Sequence, residues 1–531
     1  MLRDARWEKT LVVVLTVLAL CAGMLEGQEQ PGRLYRMIQG GMEVGRETYR
    51  WSGGVLERSV TIPLLNLKLD SREEFDSAGR FVRFSAQVFN ASGDTTRSMY
   101  LAEVLGDSLR VSRGRDSLRV RRMVALRPDG VVPAQTVSVI AEAAERARGR
   151  DTTFRYLPMG GDSLIDVAVR HGRDTTVVTM AGIVAQLLPA GVIELPVQRI
   201  RSEVWNGRDS LPVLPGLRRP AVSYDPTPGA SYTAEHVRVV IRPATGDTFS
   251  LAATLTLPLR GRRPFPVVVM MSGSGQQDRD ESLWPLVPEY RPFREYAERL
   301  AREGIGGLRY DDRTAGASGG TLGGTTADYT DDVRQLVAWL RARPDIAPAR
   351  VALLGHSEGG VMGPLLAADD PRIAAVVILA GPSNTGRAVV RDQLRRPIET
   401  AAGLSAEERA SQLSAVETQI EEWVASNPWT RWFADYDPLA TARRVRAPVL
   451  IQHGALDRQV SVGQADSLAA AIRAAGNRDV TVRIYPRLNH LFLPTDGDGS
   501  PSEYGALRQQ TLPREVLDDT AAWLLTKLIG R

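Results

Sequence analysis

Cysteine is almost absent from the sequence. Cys21 is the only cysteine among 531 residues, and it lies in an apolar segment near the start of the chain. If that segment is removed after export, no thiol remains and no disulfide bond can form. We therefore expect the stability of the folded chain to come from packing.

Lysine is also scarce, so the basic character of the chain comes almost wholly from arginine. Lys9, Lys68 and Lys527 are the only lysines, and the net charge is +4. A nucleic-acid site would gather basic residues into a stripe with aromatics between them. Here the arginines are scattered through every segment, which gives no support for a nucleic-acid partner. The apolar share of 43% with mixed charge is typical of a globular protein.

One long apolar run occurs, over residues 11–25, between three basic residues and a polar segment. The run is short for a membrane span, and its flanks are typical of an export signal. We predict a signal peptide over residues 1–27, an exported chain (periplasmic or extracellular) and no membrane span after its removal. Cys21 lies where a lipid-modified cysteine would. Because Leu20 before it is larger than such sites prefer, ordinary cleavage is favoured over lipid anchoring.

The length predicts two or three domains. Residues 28–215 alternate as short strands with turn clusters between them, which predicts an antiparallel β-rich N-terminal domain. Residues 216–234 are a proline-rich linker. Over residues 235–531 strand and helix signals alternate, which predicts an α/β domain with a mostly parallel, doubly wound sheet. A helical insertion at about 386–444 interrupts this rhythm, and we interpret it as a cap.

The strongest local signal is a Gly-x-Ser-x-Gly turn centred on Ser357. An apolar strand at 350–354 precedes the turn and an apolar helix at 361–368 follows it. This strand–turn–helix strains the serine backbone and lifts its hydroxyl clear of the sheet. We predict that Ser357 is a nucleophile. The alternative is a plain strand–turn–helix, because a chain rich in glycine and serine shows this motif by chance.

A serine hydroxyl needs a base that is itself oriented by an acid. Only two histidines follow Ser357, namely His453 and His490. His490 follows the last strand, on the edge where catalytic groups of α/β sheets gather, and Asp457 lies just beyond the strand at 448–452. We predict His490 as the base, Asp457 as the acid and His453 as structural. Alternatively, Asp457 caps a helix and His490 is a buried, hydrogen-bonded residue.

A tetrahedral intermediate needs two N–H donors. We predict that the backbone N–H of Glu358 is one of them. The other is predicted in the glycine-rich loop at 272–280, with Ser274 as the first candidate and Gly273 or Gly275 close behind. The alternative interpretation of this loop is a turn fixed by its own Asp-Arg-Asp charges.

These motifs together resemble bacterial carboxylesterases of the α/β-hydrolase superfamily, and most nearly EstD-type esterases, which carry a β-rich domain ahead of the hydrolase domain. The matching segments are SGSGQQDRD at 272–280, DDR at 311–313, GHSEGG at 355–360, QHGALD at 452–457 and NH at 489–490. The resemblance covers about residues 235–530. It implies the order Ser357, Asp457, His490 for the triad, ester hydrolysis through an acyl-enzyme, and no metal or cofactor.

The resemblance has one departure. Relatives usually continue the Asp-Arg pair with Gly-x-Gly-x-Ser, whereas Arg313 is followed here by TAGAS at 314–318. The insertion also carries a dense aromatic group, formed by Trp423, Trp429, Trp432, Phe433 and Tyr436. A cap with these side chains would bind apolar acyl or alkyl groups. The alternative is that they only attach the cap to the core.

We therefore predict an exported serine hydrolase that cleaves a small-molecule carboxylic ester. The alternative function is a serine peptidase of the prolyl-oligopeptidase or aminopeptidase kind, which shares the triad order. The N-terminal domain has no blade-length repeat, which counts against a propeller peptidase. A third possibility is a non-catalytic binding protein of the cell envelope, with the β-rich domain as its working part.

Overall fold

The computed structural model describes residues 33–530 except 40–41, 63–66, 90–95, 115–117, 125–127, 133–136, 160–163, 181–182, 206–221, 285 and 322. The predicted signal peptide with Cys21, and the first part of the predicted linker, lie outside the described residues. Contacts between residues divide the chain into two units. The first unit comprises Met1–Arg219 and Leu394–Gln419, and the second comprises Pro220–Gln393 and Ile420–Arg531.

The first unit is built on one sheet of 15 strands, which confirms the predicted N-terminal β-rich sheet. The strands pair in the order β8-β7-β6-β5-β4-β3-β2-β1-β15-β14-β13-β12-β11-β10-β9. They are β1 Arg33–Gln39, β2 Met42–Ser52, β3 Val55–Ile62, β4 Leu67–Phe75, β5 Phe81–Phe89, β6 Thr96–Leu105, β7 Ser108–Gly114, β8 Arg119–Val124, β9 Gly130–Val132, β10 Thr152–Pro158, β11 Ile165–His171, β12 Thr176–Met180, β13 Ile183–Leu187, β14 Ile193–Leu195 and β15 Ile200–Val204. All neighbouring pairs are antiparallel except β9 with β10.

Alternation along the strands explains how this sheet buries one face. In β3, every second residue is buried, including Leu56, Val60 and Ile62, while the residues between them remain partly open. Helix α1, Val137–Arg146, packs its apolar residues into the same core. The core of the first unit therefore consists of the buried face of the sheet, on which alternate strand residues lie, and the apolar side of this helix.

The second unit is an eight-stranded sheet with helices between its strands. Its strands are β16 Tyr232–Ile241, β17 Phe249–Pro258, β18 Phe265–Met271, β19 Gly306–Tyr310, β20 Ile346–His356, β21 Val376–Leu379, β22 Val449–Gly454 and β23 Val480–Tyr485. Its order is β16-β17-β19-β18-β20-β21-β22-β23. Strand β17 is antiparallel to both β16 and β19, and the strands from β19 to β23 are parallel.

The helices that follow these strands are α2 Pro292–Arg302, α3 Thr326–Arg341, α4 Gly359–Asp369, α5 Gly386–Thr400, α6 Ala406–Ser426, α7 Pro428–Asp435, α8 Pro438–Ala442, α9 Gly463–Ala474 and α10 Arg514–Leu528. In β18 the side chains of Val267 and Val269 join one core with α3, α4 and α9. The side chains of Val268 and Met270 join another core with α2 and α10. Burial on both faces is why these strands are continuous apolar runs.

Two boundaries differ from the predicted ones. Strand β16 begins at Tyr232, inside the predicted linker, because its ten residues pair with β17 from Tyr232 opposite Pro258 onwards. The tip of the predicted insertion groups with the first unit, where the Gln186 Nε2 donates a hydrogen bond of 2.7 Å to the Gly403 carbonyl. These contacts join residues that are far apart in the sequence, so local composition does not predict them.

A buried ion pair fixes the loop after β18 to the sheet. The Arg309 side chain on β19 is 1% exposed and its guanidinium donates to Asp280, which is fully buried. The same carboxylate accepts a 2.7 Å hydrogen bond from Arg291 Nε. Burial lowers the pKa of Arg309, and the Asp280 charge only partly offsets this.

Asp280→Asn is therefore expected to destabilise the protein by about 3–5 kcal/mol, because it leaves Arg309 charged, buried and unpaired. The measurement is urea unfolding followed by intrinsic fluorescence. Asp225→Asn is the matched control, since Asp225 is an exposed carboxylate in the same unit that contacts His236 at 2.9 Å. A change for Asp280→Asn no larger than that of the control would contradict the prediction.

Candidate active site

Ser357 lies in a tight turn between β20 and α4. Its φ is +53°, a left-handed conformation that a residue with a side chain adopts only under strain. Its N–H donates to the Leu379 carbonyl at 2.8 Å, which anchors the turn to β21. A Cβ at Gly355 would overlap the Gly359 carbonyl, and one at Gly359 would overlap the Met271 carbonyl. The two motif glycines are therefore required by close backbone approach, as the sequence predicts for this turn.

His490 and Asp457 form a buried pair at the same edge of the sheet. The Nδ1 of His490 is 2.7 Å from Oδ2 of Asp457. The other carboxylate oxygen, Oδ1, accepts hydrogen bonds of 2.8 Å from the N–H groups of Gln459 and Val460. Burial favours protonation of Asp457, but the histidines beside it outweigh burial, so the pKa of this carboxyl lies well below its usual range. The charged Asp457 holds the His490 Nδ1–H, which leaves Nε2 as the proton acceptor.

The environment of His490 keeps the imidazole neutral. Burial lowers the pKa of His490 below its ordinary value. The charge of Asp457 opposes this shift, whereas His356 and His453 add to it. A neutral imidazole at pH 7 is the form that can accept a proton from a serine hydroxyl.

The residue before the serine connects the turn to His490. The rings of His356 and His490 have their centroids 4.8 Å apart, and the Nε2 of His356 is 2.9 Å from the His490 carbonyl oxygen. The structure thus places Ser357, Asp457 and His490 beyond the carboxyl ends of β20, β22 and β23, on one edge of the parallel sheet. Their roles as nucleophile, acid and base remain predictions.

His453 contacts the same carboxylate oxygen of Asp457 as His490 does. Its Nε2 lies 2.8 Å from the Val460 carbonyl oxygen and 3.1 Å from Oδ2 of Asp457. The ring is fully buried at the end of β22. Asp457 is therefore held between two histidines, and His453 has the structural position that the sequence predicts for it.

The backbone N–H groups predicted for an oxyanion hole differ in whether they already donate a hydrogen bond. Among the described residues, the N–H groups of Glu358 and Ser274 have no hydrogen-bond acceptor, which leaves both open to a developing anion. The N–H of Gly273 instead donates to Oε1 of Glu281 at 2.7 Å, so it is occupied. Between Ser274 and Gly273, the structure therefore favours Ser274.

The side chain of Glu358 is buried under the insertion. Its Oε1 accepts hydrogen bonds from Thr326 Oγ1 at 2.6 Å and from Trp429 Nε1 at 2.7 Å. Burial raises its pKa, and these two hydrogen bonds oppose the rise. The residue that offers a backbone donor is thus fixed by a polar contact with the aromatic group of the insertion.

Sequence reasoning missed Glu281, a buried glutamate in the loop after β18. Its φ is +57°, and Oε1 lies 2.9 Å from Nδ1 of His356. The predicted Asp-Arg-Asp network also differs in detail, because Arg279 pairs with Asp311 rather than with its sequence neighbours. The only sequence feature that could have indicated Glu281 is its position as a charged residue directly after the loop at 272–280.

Two absences apply to the described part of the chain. No group of three or more His, Cys, Asp or Glu side chains there is arranged to hold a metal ion. No helix there is long and apolar enough to cross a membrane.

This geometry is shared with serine hydrolases of the α/β-hydrolase class, and the comparisons with known proteins agree. The profile of the X-Pro dipeptidyl-peptidase (S15) family matches residues 247–403. The profile of the prolyl oligopeptidase family matches residues 400–528. Each match covers less than half of the chain, and together they cover residues 247–528.

Among individual proteins, the chain is 29% identical to Esterase EstD of Thermotoga maritima over 282 residues. The match covers 52% of this chain and 65% of that esterase, so the chain spans less than two thirds of its relative. The predicted resemblance to α/β-hydrolase esterases is thereby confirmed.

Solved structures that match part of this chain include a Pyrococcus furiosus esterase, at 18% identity, a TM-score of 0.39, and coverage of 58% of this chain and 97% of that one. Est1E from Butyrivibrio proteoclasticus matches at 15% identity, with a TM-score of 0.35 and coverage of 56% and 99%.

Proposed function

We propose that this protein is a carboxylesterase that cleaves small-molecule esters through an acyl-enzyme. The observation that carries the proposal is the buried His490–Asp457 hydrogen bond at the sheet edge where Ser357 stands in its strained turn. The resemblance to Esterase EstD supports the ester as the substrate class.

In the proposed reaction, Ser357 Oγ attacks the ester carbonyl carbon while His490 Nε2 takes the hydroxyl proton. The N–H groups of Glu358 and Ser274 would stabilise the carbonyl oxygen as it becomes negative. The alcohol then leaves with the proton from His490, and the acyl group stays on Ser357. Water repeats the sequence, which releases the acid and restores the serine.

We propose that the insertion acts as a cap over a doubly wound sheet and that its aromatic group binds the apolar part of the ester. Two stacked pairs support this role: Trp429 with Phe433, at 5.3 Å between ring centroids, and Trp432 with Tyr436, at 4.4 Å. Trp429 also reaches Glu358, the residue after the nucleophile. An aromatic wall so close to the turn would favour apolar acyl or alkyl groups.

A serine peptidase is the second candidate, because both matching family profiles are peptidase families. Propeller peptidases cover their site with separate four-stranded blades. The described strands of the first unit here form one continuous sheet instead. This difference places the esterase ahead of a propeller peptidase.

Substrate preference separates the two candidates. The purified protein is expected to hydrolyse short p-nitrophenyl esters and to act little on aminoacyl or prolyl anilides, because esters need less activation of the leaving group. The measurement is kcat/KM for both substrate sets at one pH. A preference for the anilides would support the peptidase and overturn the esterase.

Export remains part of the proposal. The basic residues and the short apolar run within residues 1–27 support a signal peptide and a periplasmic or extracellular location. Mass spectrometry of the mature N-terminus tests this, and it also distinguishes cleavage near residue 27 from lipidation at Cys21. An intact Met1 in the cell-envelope or secreted fraction would contradict it.

A further inference from the structure

A second acid–imidazole contact, between Glu281 and His356, lies next to His490. Glu281 is 3% exposed, and its Oε1 lies 2.7 Å from the Gly273 N and 2.9 Å from His356 Nδ1. The other nitrogen of His356 lies 2.9 Å from the His490 carbonyl oxygen. One carboxylate thus connects the loop after β18, the serine turn and the loop that carries His490.

The contacts determine where the protons lie. The Nε2 of His356 faces a peptide carbonyl, which only accepts, so this nitrogen carries a hydrogen. The Nδ1 faces Oε1 of Glu281, an oxygen that already accepts the Gly273 N–H. Oε2 of Glu281 is buried and has no hydrogen-bond partner among the described residues, so a proton placed there would have no acceptor. The arrangement that satisfies these groups is a glutamate carboxylate beside a doubly protonated His356.

The neighbouring groups are consistent with this charge distribution. Tyr290, Tyr310 and Asp312 are titratable groups near Glu281, and burial raises the pKa of each well above its ordinary range, which disfavours further negative charge beside Glu281. Burial lowers the pKa of His356, but Glu281, the His490 carbonyl and the charge of Asp457 outweigh burial and raise it overall. This direction agrees with the positive charge that the hydrogen-bond contacts assign to His356.

We propose, on the basis of the function proposed above, that Glu281 and His356 are positioning residues in which a His356 imidazolium orients His490 and keeps it in its neutral, proton-accepting form. The ring centroids of His356 and His490 are 4.8 Å apart. A second positive charge at that separation is unfavourable, so the imidazolium disfavours protonation of His490. The negative charge of Asp457 favours protonation of His490, so the two neighbouring charges have opposite effects on His490.

Glu281→Gln tests the pair with little change in shape. Oε1 contacts both the Gly273 N and His356 Nδ1, so an amide oxygen in its place can still accept from both, but it carries no charge to stabilise the imidazolium. Without the imidazolium, His490 takes up a proton more readily, so the acidic limb of the kcat/KM profile is expected to move to higher pH by about one unit. Loss of a negative charge alone would lower the pKa of His490 and move the limb to lower pH. The direction of the shift therefore distinguishes this proposal from a general field effect.

The control is Asp332→Asn, which removes another buried carboxylate of the second unit that pairs with Arg313 rather than with a histidine. Its acidic limb is expected not to move to higher pH. An acidic limb for Glu281→Gln that stays in place or moves to lower pH would overturn the proposal.

A second measurement does not depend on activity. With ¹⁵N-labelled histidine in the full protein, which has only five histidines, His356 is expected to show both ring nitrogens protonated at pH 7. Its signals are assigned by their loss in His356→Gln. One unprotonated nitrogen on His356 would refute the imidazolium. Failure of a fluorophosphonate to label Ser357 would instead refute the proposed function and leave the NMR result standing.

Discussion

Ser357→Ala is expected to lower kcat on p-nitrophenyl esters by about 10⁴-fold or more, because the variant has no oxygen on which to form the acyl-enzyme. Any remaining turnover would come from water attack assisted by the N–H donors. The wild-type protein is expected to take up a fluorophosphonate on the peptide that contains Ser357, and the variant is expected to take up none.

Ser383→Ala is the matched control for this experiment. Ser383 is another buried serine, and it lies in the loop that follows β21 at the same edge of the sheet. Its loss is expected to leave both turnover and labelling nearly unchanged. Labelling of a different serine, or full activity in Ser357→Ala, would show that the nucleophile has been assigned incorrectly.

The serine turn could be predicted from the sequence because it is a local structure. The apolar strand, the two glycines and the following helix are consecutive in sequence. At each of the two glycines, a side chain would overlap a nearby backbone atom. The ends of β20 extend beyond the predicted 350–354, to Ile346–His356. The period of the apolar run marks a strand well, whereas its ends depend on neighbouring strands.

The proximity of Asp457 and His490 could be predicted for a different reason. Asp457 and His490 are 33 residues apart in sequence, yet parallel strands bring the loops after β22 and β23 to one edge. Chain order and strand position were sufficient to select these two residues without any knowledge of side-chain packing.

The Glu281–His356 contact could not be predicted, since the two residues are 75 positions apart and neither belongs to the triad pattern. Only the observed conformation of the loop, with Glu281 at positive φ, turns the carboxylate toward the serine turn. The same limit applies to the tip of the insertion, whose grouping with the first unit depends on contacts such as Gln186 with Gly403. Contacts between distant surfaces leave no periodic signal in the chain.

Two histidines contact the same carboxylate oxygen of Asp457, so either of them could be the base that Asp457 orients. His490 approaches Oδ2 through Nδ1 at 2.7 Å, and His453 approaches it through Nε2 at 3.1 Å. His453 also lies 2.8 Å from the Val460 carbonyl through that same nitrogen, which ties it to its own loop. His490, by contrast, packs on His356, the residue directly before Ser357. The position of His490 therefore supports the prediction that it is the base.

His490→Ala is accordingly expected to lower kcat by about 10⁴-fold or more and to slow fluorophosphonate labelling of Ser357, because the hydroxyl loses its proton acceptor. His453→Asn is expected to keep kcat within about tenfold of the wild type while lowering the melting temperature, since it removes a buried ring that only supports Asp457. The measurements are steady-state kinetics and thermal unfolding of both variants. If His453→Asn abolished turnover while His490→Ala retained it, the base would be His453. The proton of Ser357 would then be accepted by a residue at the end of β22 rather than by one in the loop after β23.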